Sequence, residues 1–147
     1  MSTLADLLLV AHQRDALVAD CVKLIQQQVD GHPPVRRLAL KAGMSVLNSI
    51  RPDGLNWAVD RMLPEFVTAL EPLYQRFRQS NDRDFSLFLR KHSEEAVEAI
   101  VGSADRRAQR VQSPVLRGGY QRVRPMARAE VRDALPGLSK LISGYMG

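Results

Sequence analysis

The sequence predicts an all-α protein, a compact bundle of six to eight short helices that are separated by prolines. Apolar residues recur every three or four positions through most of the chain, which is the spacing of an amphipathic helix. Long runs of β-branched residues alternating with polar ones are absent, and proline or glycine interrupts the helical segments. A chain of 147 residues can bury a core of its own, so we expect one helical domain over residues 1–147.

The first fifty residues predict three helices. A break near residues 12–15 is expected, because a straight helix would place Arg14 and Asp15 on its apolar stripe. A second joint is expected at residues 30–34, where glycine and two prolines follow one another. Residues 35–50 then form a helix whose predicted core-facing stripe is Leu38, Ala42, Val46 and Ile50.

The next segment keeps its apolar residues in helical phase across two prolines. A turn at residues 51–54 precedes it, and Pro64 and Pro72 lie inside the periodic stretch 55–77. Proline inside a helix removes one backbone hydrogen bond and clashes with the preceding turn, at a cost of about 3 kcal/mol. We therefore expect Pro64 to begin a new helix or a sharp kink, and Pro72 to mark a milder kink.

In the second half of the chain, prolines and capping residues again mark predicted helix boundaries. Ser113 followed by Pro114 predicts a helix start, because serine is a good N-cap and proline suits the first helical position. Two other starts are expected to be capped in the same way, by Ser2 or Thr3 and by Asp82 or Asp84. The remaining joints are predicted near residues 80–84, 92, 112–115, 125 and 136.

Two parts of the chain share a pattern that suggests a diverged internal duplication. The stretch "AVDRMLPEF" (58–66) matches "EVRDALPGL" (130–138), and an Arg-Pro pair precedes each of them, at 51–52 and at 124–125. Further upstream, "LKAGM" matches "LRGGY". Each copy would consist of three helices that meet at an Arg-Pro joint and a Leu-Pro joint.

Composition limits the classes of function. The net charge of +5 is concentrated in residues 103–147, which carry nine Lys or Arg against three Asp or Glu. This asymmetry permits an anionic partner without requiring one. A single cysteine, Cys21, excludes an internal disulfide and fits a reducing cytoplasm. No apolar run approaches the ~20 residues that span a bilayer, so membrane insertion is not expected.

Residue patterns that carry catalysis or bind cofactors are missing. The three histidines are far apart, and the sequence contains no HExxH, CxxC, GxSxG or phosphate-binding glycine loop. General acid–base catalysis needs groups with shifted pKa values in a cleft, and no such group is evident. We therefore expect a non-enzymatic protein without a cofactor or a metal site.

Residues 35–50, "VRRLALKAGMSVLNSI", resemble a helix-turn-helix and provide one functional hypothesis. A basic entry is followed by small residues, by a glycine that could make the turn and by a serine that could cap a recognition helix. This alternative is a DNA-binding regulator, with basic residues on the phosphates. Its candidate nucleic-acid contacts are Arg36, Arg37, Asn48, Arg117, Arg122, Arg124 and Arg128.

The favoured hypothesis is a protein–protein interaction or assembly module, for which a homodimer is one form. Helical proteins often bury a face against a second copy of themselves with two-fold symmetry. Aromatic residues and methionine are enriched in such contacts. The candidate interaction surface is Trp57, Tyr120, Tyr145 and Met146.

Five stretches together resemble an uncharacterised family of small all-helical actinobacterial proteins, a domain of unknown function. They are "LALKAGM", "IRP", "AVDRMLPEFVTALEPLYQRF", "HSEEAVEAIVGSADRRA" and "ALPGLSKLI", and they extend over nearly the whole chain. The excess of arginine, 17 against 4 lysines, agrees with a high-GC bacterial genome. The resemblance implies a helical fold and a cytoplasmic bacterial setting, and it leaves the activity open.

Overall fold

The computed structural model describes residues 2–146 and confirms the all-α prediction. Within these residues the chain forms seven helices and no strand. The helices are α1 (Leu4–Leu8), α2 (Ala11–Asp30), α3 (Pro34–Ile50), α4 (Gly54–Gln79), α5 (Phe85–Lys91), α6 (Ser93–Arg110) and α7 (Pro114–Tyr145). The predicted joints at residues 30–34, 51–54, 80–84, 92 and 112–115 are confirmed to within one or two residues.

Local capping signals explain several of these boundaries. Thr3 and Asp6 form a capping box, in which each side chain accepts a hydrogen bond from the other residue's amide. The Asp84 carboxylate accepts from the first amides of α5, and the Ser113 hydroxyl accepts from the Leu116 amide in α7. Pro114 occupies the first turn of α7, as predicted.

The predicted break at residues 12–15 is wrong, because the chain bends at Leu9 and Val10 instead. The Gln13 side chain donates to the carbonyl of Leu7 at 2.6 Å, and so satisfies an acceptor left free at the end of α1. Arg14 stays inside α2, since its guanidinium is paired with Asp60 at 3.1 Å. A helix can therefore continue through a charged residue on its half-buried face when an oppositely charged residue of another helix pairs with it.

No new helix begins at Pro64, and the joints predicted at residues 125 and 136 are also wrong. The kinks predicted at Pro64 and Pro72 stay predictions. Pro64 lies with Pro72 inside the continuous helix α4, and the other two lie inside α7. Pro72, Pro125 and Pro136 are exposed, as are the residues four positions earlier, so water can reach the carbonyls that the prolines leave without a donor. Two of the helices are consequently long rather than short.

Pro64 is compensated by another helix. It cannot donate to the carbonyl of Asp60, four residues earlier. Arg14 of α2 donates to that carbonyl through Nη2 at 3.0 Å, while its Nε bonds the Asp60 carboxylate. The arginine thus replaces the missing backbone donor and ties α2 to α4 at the same point.

The two stretches of the predicted duplication do not have the same secondary structure. The Arg-Pro pair at 51–52 lies in the loop between α3 and α4, whereas the pair at 124–125 lies within α7. The first copy thus spans two helices and a turn, and the second is part of one helix. The similar stretches do not fold as equivalent units.

The core is built by six of the seven helices in the described residues. Its members come from α1, α2, α4, α5, α6 and α7, and include Leu8, Leu17, Leu70, Leu89 and Leu135. Four rings of α4 and α5 extend it, with centroids 5.1–6.4 Å apart: Tyr74, Phe77, Phe85 and Phe88. α3 contributes none of its residues to this cluster.

The predicted core-facing stripe of α3 is wrong at three of its four positions. Leu38 is 69% exposed, and Ala42 and Ile50 are exposed as well. The helix has apolar residues on two faces, and the face that turns inward carries Leu40, which is buried, and Leu47. Hydrophobic spacing alone could not decide between the two faces.

Candidate ligand cavity

A cavity of about 540 Å³ lies among α1, α2, α3, α4, α6 and α7. Its walls are almost entirely apolar, and every one of these helices supplies part of them. Representative wall residues are Leu24, Leu47, Met62, Phe66, Val123 and Val131. All six are only partly buried, whereas the inner side of the cavity is lined by buried core residues such as Leu17, Leu63 and Leu70.

The volume of this cavity is larger than packing imperfections produce. Protein interiors are close-packed, and voids larger than a water molecule are few. Sites for small molecules measure about 300–1,000 Å³ and are mostly apolar, with a few polar groups. The cavity falls within that range in both respects.

Close contacts between α3 and α7 form one wall. These two helices run antiparallel, and a methyl group added to Gly43 would lie 2.7 Å from Cγ1 of Val123. A methyl group added to Gly119 would similarly lie 3.1 Å from Cγ1 of Val46. The two glycines therefore allow the backbones to approach closely, so that α3 closes the cavity on this side.

Glu130 of α7 fixes the other end of the same wall. Its carboxylate is bonded to Nε2 of His32 at 2.8 Å and accepts from Nε of Arg36 at 3.0 Å. Its side chain is only 16% exposed, so these partners compensate for the loss of water around the charge. The Gln28 amide reaches the Glu130 carbonyl at 3.5 Å, which links α2 to the same point.

Trp57, at the start of α4, lies between two arginines. The guanidinium carbons of Arg51 and Arg61 lie 5.0 Å and 5.7 Å from its ring centroid, within the distance of cation–π contacts. The indole Nε1–H is shielded from solvent and has no acceptor among the described residues. A buried donor without a partner is uncommon and calls for an explanation.

Cys21 lines the cavity and contributes a thiol to its wall. Burial, and secondarily the charge of Asp20, raises the pKa of this thiol to about 11. The side chain therefore stays neutral at physiological pH and behaves as a small apolar group, as the sequence suggests. Nothing in its surroundings favours a nucleophilic thiolate.

A hydrogen-bonded trio lies behind the wall, between α6 and α7. Asp105 accepts from Nε of Arg124 at 2.7 Å and from the Tyr120 hydroxyl at 2.6 Å. These two bonds, that of Arg124 first, lower the pKa of Asp105. Burial and the bond to Asp105 raise the pKa of Tyr120. The trio holds the Tyr120 ring in place against the cavity.

The four residues predicted as an interaction surface do not lie together. Trp57 and Tyr120 line the cavity. Tyr145 donates its hydroxyl to Asp20 at 2.5 Å, which raises the pKa of Tyr145 to about 12, and Met146 packs against the core. Each has contacts within its own chain, and their role in binding a partner stays a prediction.

The predicted helix-turn-helix at residues 35–50 is wrong. These residues belong to the single continuous helix α3, and Gly43 lies within it rather than at a turn. A glycine inside a helix resembles a turn residue in the sequence, but here it serves the contact with Val123. The second helix that would enter a DNA groove is therefore missing.

Most of the proposed nucleic-acid contacts are engaged elsewhere. Arg36, Arg124 and Arg128 are paired with Glu130, Asp105 and Glu98. Two more donate or accept hydrogen bonds with the backbone: Arg117 with the Val111 carbonyl and Asn48 with the Gly54 amide. A nucleic-acid role for Arg37 and Arg122 stays a prediction.

A second concavity, of about 640 Å³, is a poorer candidate. Only α4 and α6 line it, with exposed residues such as Thr68, Pro72 and Gln109, so most of its volume is open to solvent. Glu65 at its edge is already paired with Arg107 and Arg110.

Two kinds of feature are absent from residues 2–146. Residues 2–146 contain no group of three His, Cys, Asp or Glu side chains placed to hold a metal ion. Within the same residues, no helix combines the length and the apolar character that crossing a bilayer requires.

Sequence reasoning missed the cavity and the arginines beside Trp57. A cavity is a volume between helices, so no local pattern encodes it. One signal was available: Trp57 and Arg61 are four residues apart and so share a helical face.

The fold and the cavity define a class of protein, an all-α bundle with a partly open apolar pocket whose inner side is formed by core residues. The chain belongs to a family of unknown function, DUF6918, whose model matches residues 4–146. The family resemblance inferred from the sequence is thereby confirmed for nearly the whole chain. No curated protein and no solved structure was found to be similar to it.

Proposed function

We propose that this protein is a non-enzymatic binding protein that holds an apolar small molecule in the cavity. The observation that supports this proposal is the cavity itself, about 540 Å³ in volume and lined by apolar side chains of six helices. Transfer of an apolar molecule from water into such walls is favourable by about 25 cal/mol for each Å² of surface removed from water.

The groups on the wall favour binding over catalysis. Cys21 is kept neutral by burial, and Glu130 is held by His32 and Arg36. A nucleophile or general base needs a free group within reach of a substrate. The wall therefore offers mainly contact surface.

The proposal predicts that the neutral dye N-phenyl-1-naphthylamine binds the protein and gains fluorescence. Trp57 is the single tryptophan of the chain and lines the cavity, so its emission should change as the dye binds. Ala127→Phe places a ring in the cavity and should weaken dye binding at least about tenfold by displacing apolar contact area.

The matched control is Ala19→Phe, which adds the same ring to an exposed position of α2 and should bind the dye as the unmodified protein does. Thermal unfolding of both variants shows whether the fold is intact. Equal dye binding by the two folded variants would refute the assignment of the site.

A second candidate function, interaction with a protein, is favoured by the outer face of α3. Val35 and Leu38 are 83% and 69% exposed, and Ala42, Ser45 and Ser49 continue an uncharged stripe at helical spacing. Exposed apolar surface often marks an interaction site. Since the stripe carries no charge, two copies of the chain could meet there without opposing like charges.

If two copies of the chain associate, we expect the average molecular mass in analytical ultracentrifugation to rise with protein concentration. Leu38→Glu should keep the protein monomeric, because the dimer would have to bury the new charge. It should leave the free energy of unfolding of the monomer unchanged within about 0.5 kcal/mol. The control is Leu87→Glu, which places the same charge at an exposed position of α5. A monomer at every concentration would exclude the homodimer.

A further inference from the structure

The shielded indole donor of Trp57 points to the chemistry of the ligand. Its Nε1–H lies out of contact with water and without an acceptor. A donor of this kind gains most from a ligand oxygen that accepts its hydrogen bond, because desolvation has already occurred. The same side chain lines the cavity, so a ligand within it can supply that oxygen.

The charge beside this donor is positive. Arg61 lines the cavity, is exposed to solvent, and has its guanidinium against the Trp57 ring. Arg51 lies against the same ring. Within residues 2–146, neither arginine forms an ion pair with a carboxylate. Two cations beside a free donor favour an anionic oxygen.

The rest of the wall does not offer an equivalent position for a cation. Four charged side chains of the described residues line the cavity, and three of them are arginines: Arg61, Arg107, Arg117 and Glu130. The fourth, Glu130, is ion-paired with Arg36 and hydrogen-bonded to His32. Between these groups the wall is apolar, so it suits an aliphatic chain.

We propose that the cavity binds single-chain amphiphiles with an anionic head, with the head held by Trp57 and Arg61 and the chain lying along the apolar wall. This inference rests on the proposed function and adds the class of ligand to it. Carboxylate and phosphate heads share the required chemistry. The experiment below distinguishes them.

The test is a calorimetric titration of the full chain with hexadecanoate, hexadecyl phosphate and hexadecanol, each below the concentration at which it aggregates. Hydrogen bonds to a charged group are about twice as strong as neutral ones. We therefore expect at least one of the two anions to bind about tenfold or more tightly than the alcohol. The preferred anion identifies the head.

Variants of the head site provide the second measurement. Arg61→Met should remove most of the preference for the anion and leave the affinity for hexadecanol nearly unchanged. Arg61→Lys keeps the charge and should retain part of the preference. Arg90→Met, at an exposed position of α5, is the matched control and should bind all three compounds like the unmodified protein.

The outcomes separate this inference from the proposed function. If the alcohol and both anions bind equally, the cavity is a ligand site and the head assignment is overturned. If none of the three binds and the neutral dye fails as well, the proposed function itself is lost. An anion preference that survives in folded Arg61→Met would place the head elsewhere and overturn the assignment to Trp57 and Arg61.

Discussion

Gly54→Ala is expected to lower the free energy of unfolding by about 3 kcal/mol, the upper end of the cost of overpacking. Gly54 is the first residue of α4 and is buried against the last turns of α3. A methyl group there would overlap the carbonyl oxygen of Leu47 and lie 2.7 Å from the amide nitrogen of Asn48. Both are backbone atoms, so the helices themselves would have to separate.

The measurement is urea unfolding followed by far-UV circular dichroism. Gly118→Ala is the matched control, since its added methyl group meets no atom within 4 Å. It lies inside α7, where alanine is favoured over glycine by up to about 1 kcal/mol. Gly118→Ala should therefore stabilise the protein. Equal stability of the two variants would show that α3 and α4 do not approach as described.

Leu89→Ala is expected to cost about 2–5 kcal/mol, the range for a large side chain removed from a packed core. Leu89 has no exposed surface and belongs to the core cluster. Leu47→Ala should cost only about 1 kcal/mol, because this leucine is half-buried and one side of it already faces the cavity. The same chemical change is thus compared at two kinds of packing.

Chemical denaturation of both variants provides the comparison, with the slope of each transition as a check that unfolding is still two-state. A loss of similar size for Leu47→Ala and Leu89→Ala would mean that the cavity wall is packed as tightly as the core. That result would remove the basis of the ligand site.

Local signals in the sequence predicted most helix boundaries. Caps such as Thr3, Asp84 and Ser113 satisfy amides within a few residues, so their effect can be read without knowing the rest of the fold. The joints at these positions followed from such signals.

Tertiary contacts decided where the prediction failed. Proline was expected to end helices at Pro64, but Arg14 of another helix bonds the carbonyl that Pro64 cannot reach. The stripe through Leu38 was expected to face the core, but the contact of Gly43 with Val123 turns it outward. Neither partner is near in sequence, so no local pattern could indicate them.

The candidate site was beyond prediction for a related reason. Trp57 was singled out as an aromatic residue, yet the cavity that it lines depends on how six helices leave space between them. The interaction residues were chosen by type, and the structure separates Trp57 from Tyr145. Residue type indicates which interactions a side chain can form, whereas the packing of the fold determines which residues it contacts.

The absence of α3 from the core cluster bears on how a ligand gains entry. Because the other six helices bury that cluster among themselves, detaching α3 uncovers the cavity and leaves the remaining packing in place. Such partial opening requires less free energy than denaturation of the whole chain. If the cavity binds a ligand as we propose, we expect local opening of α3 to be the step that admits a large one.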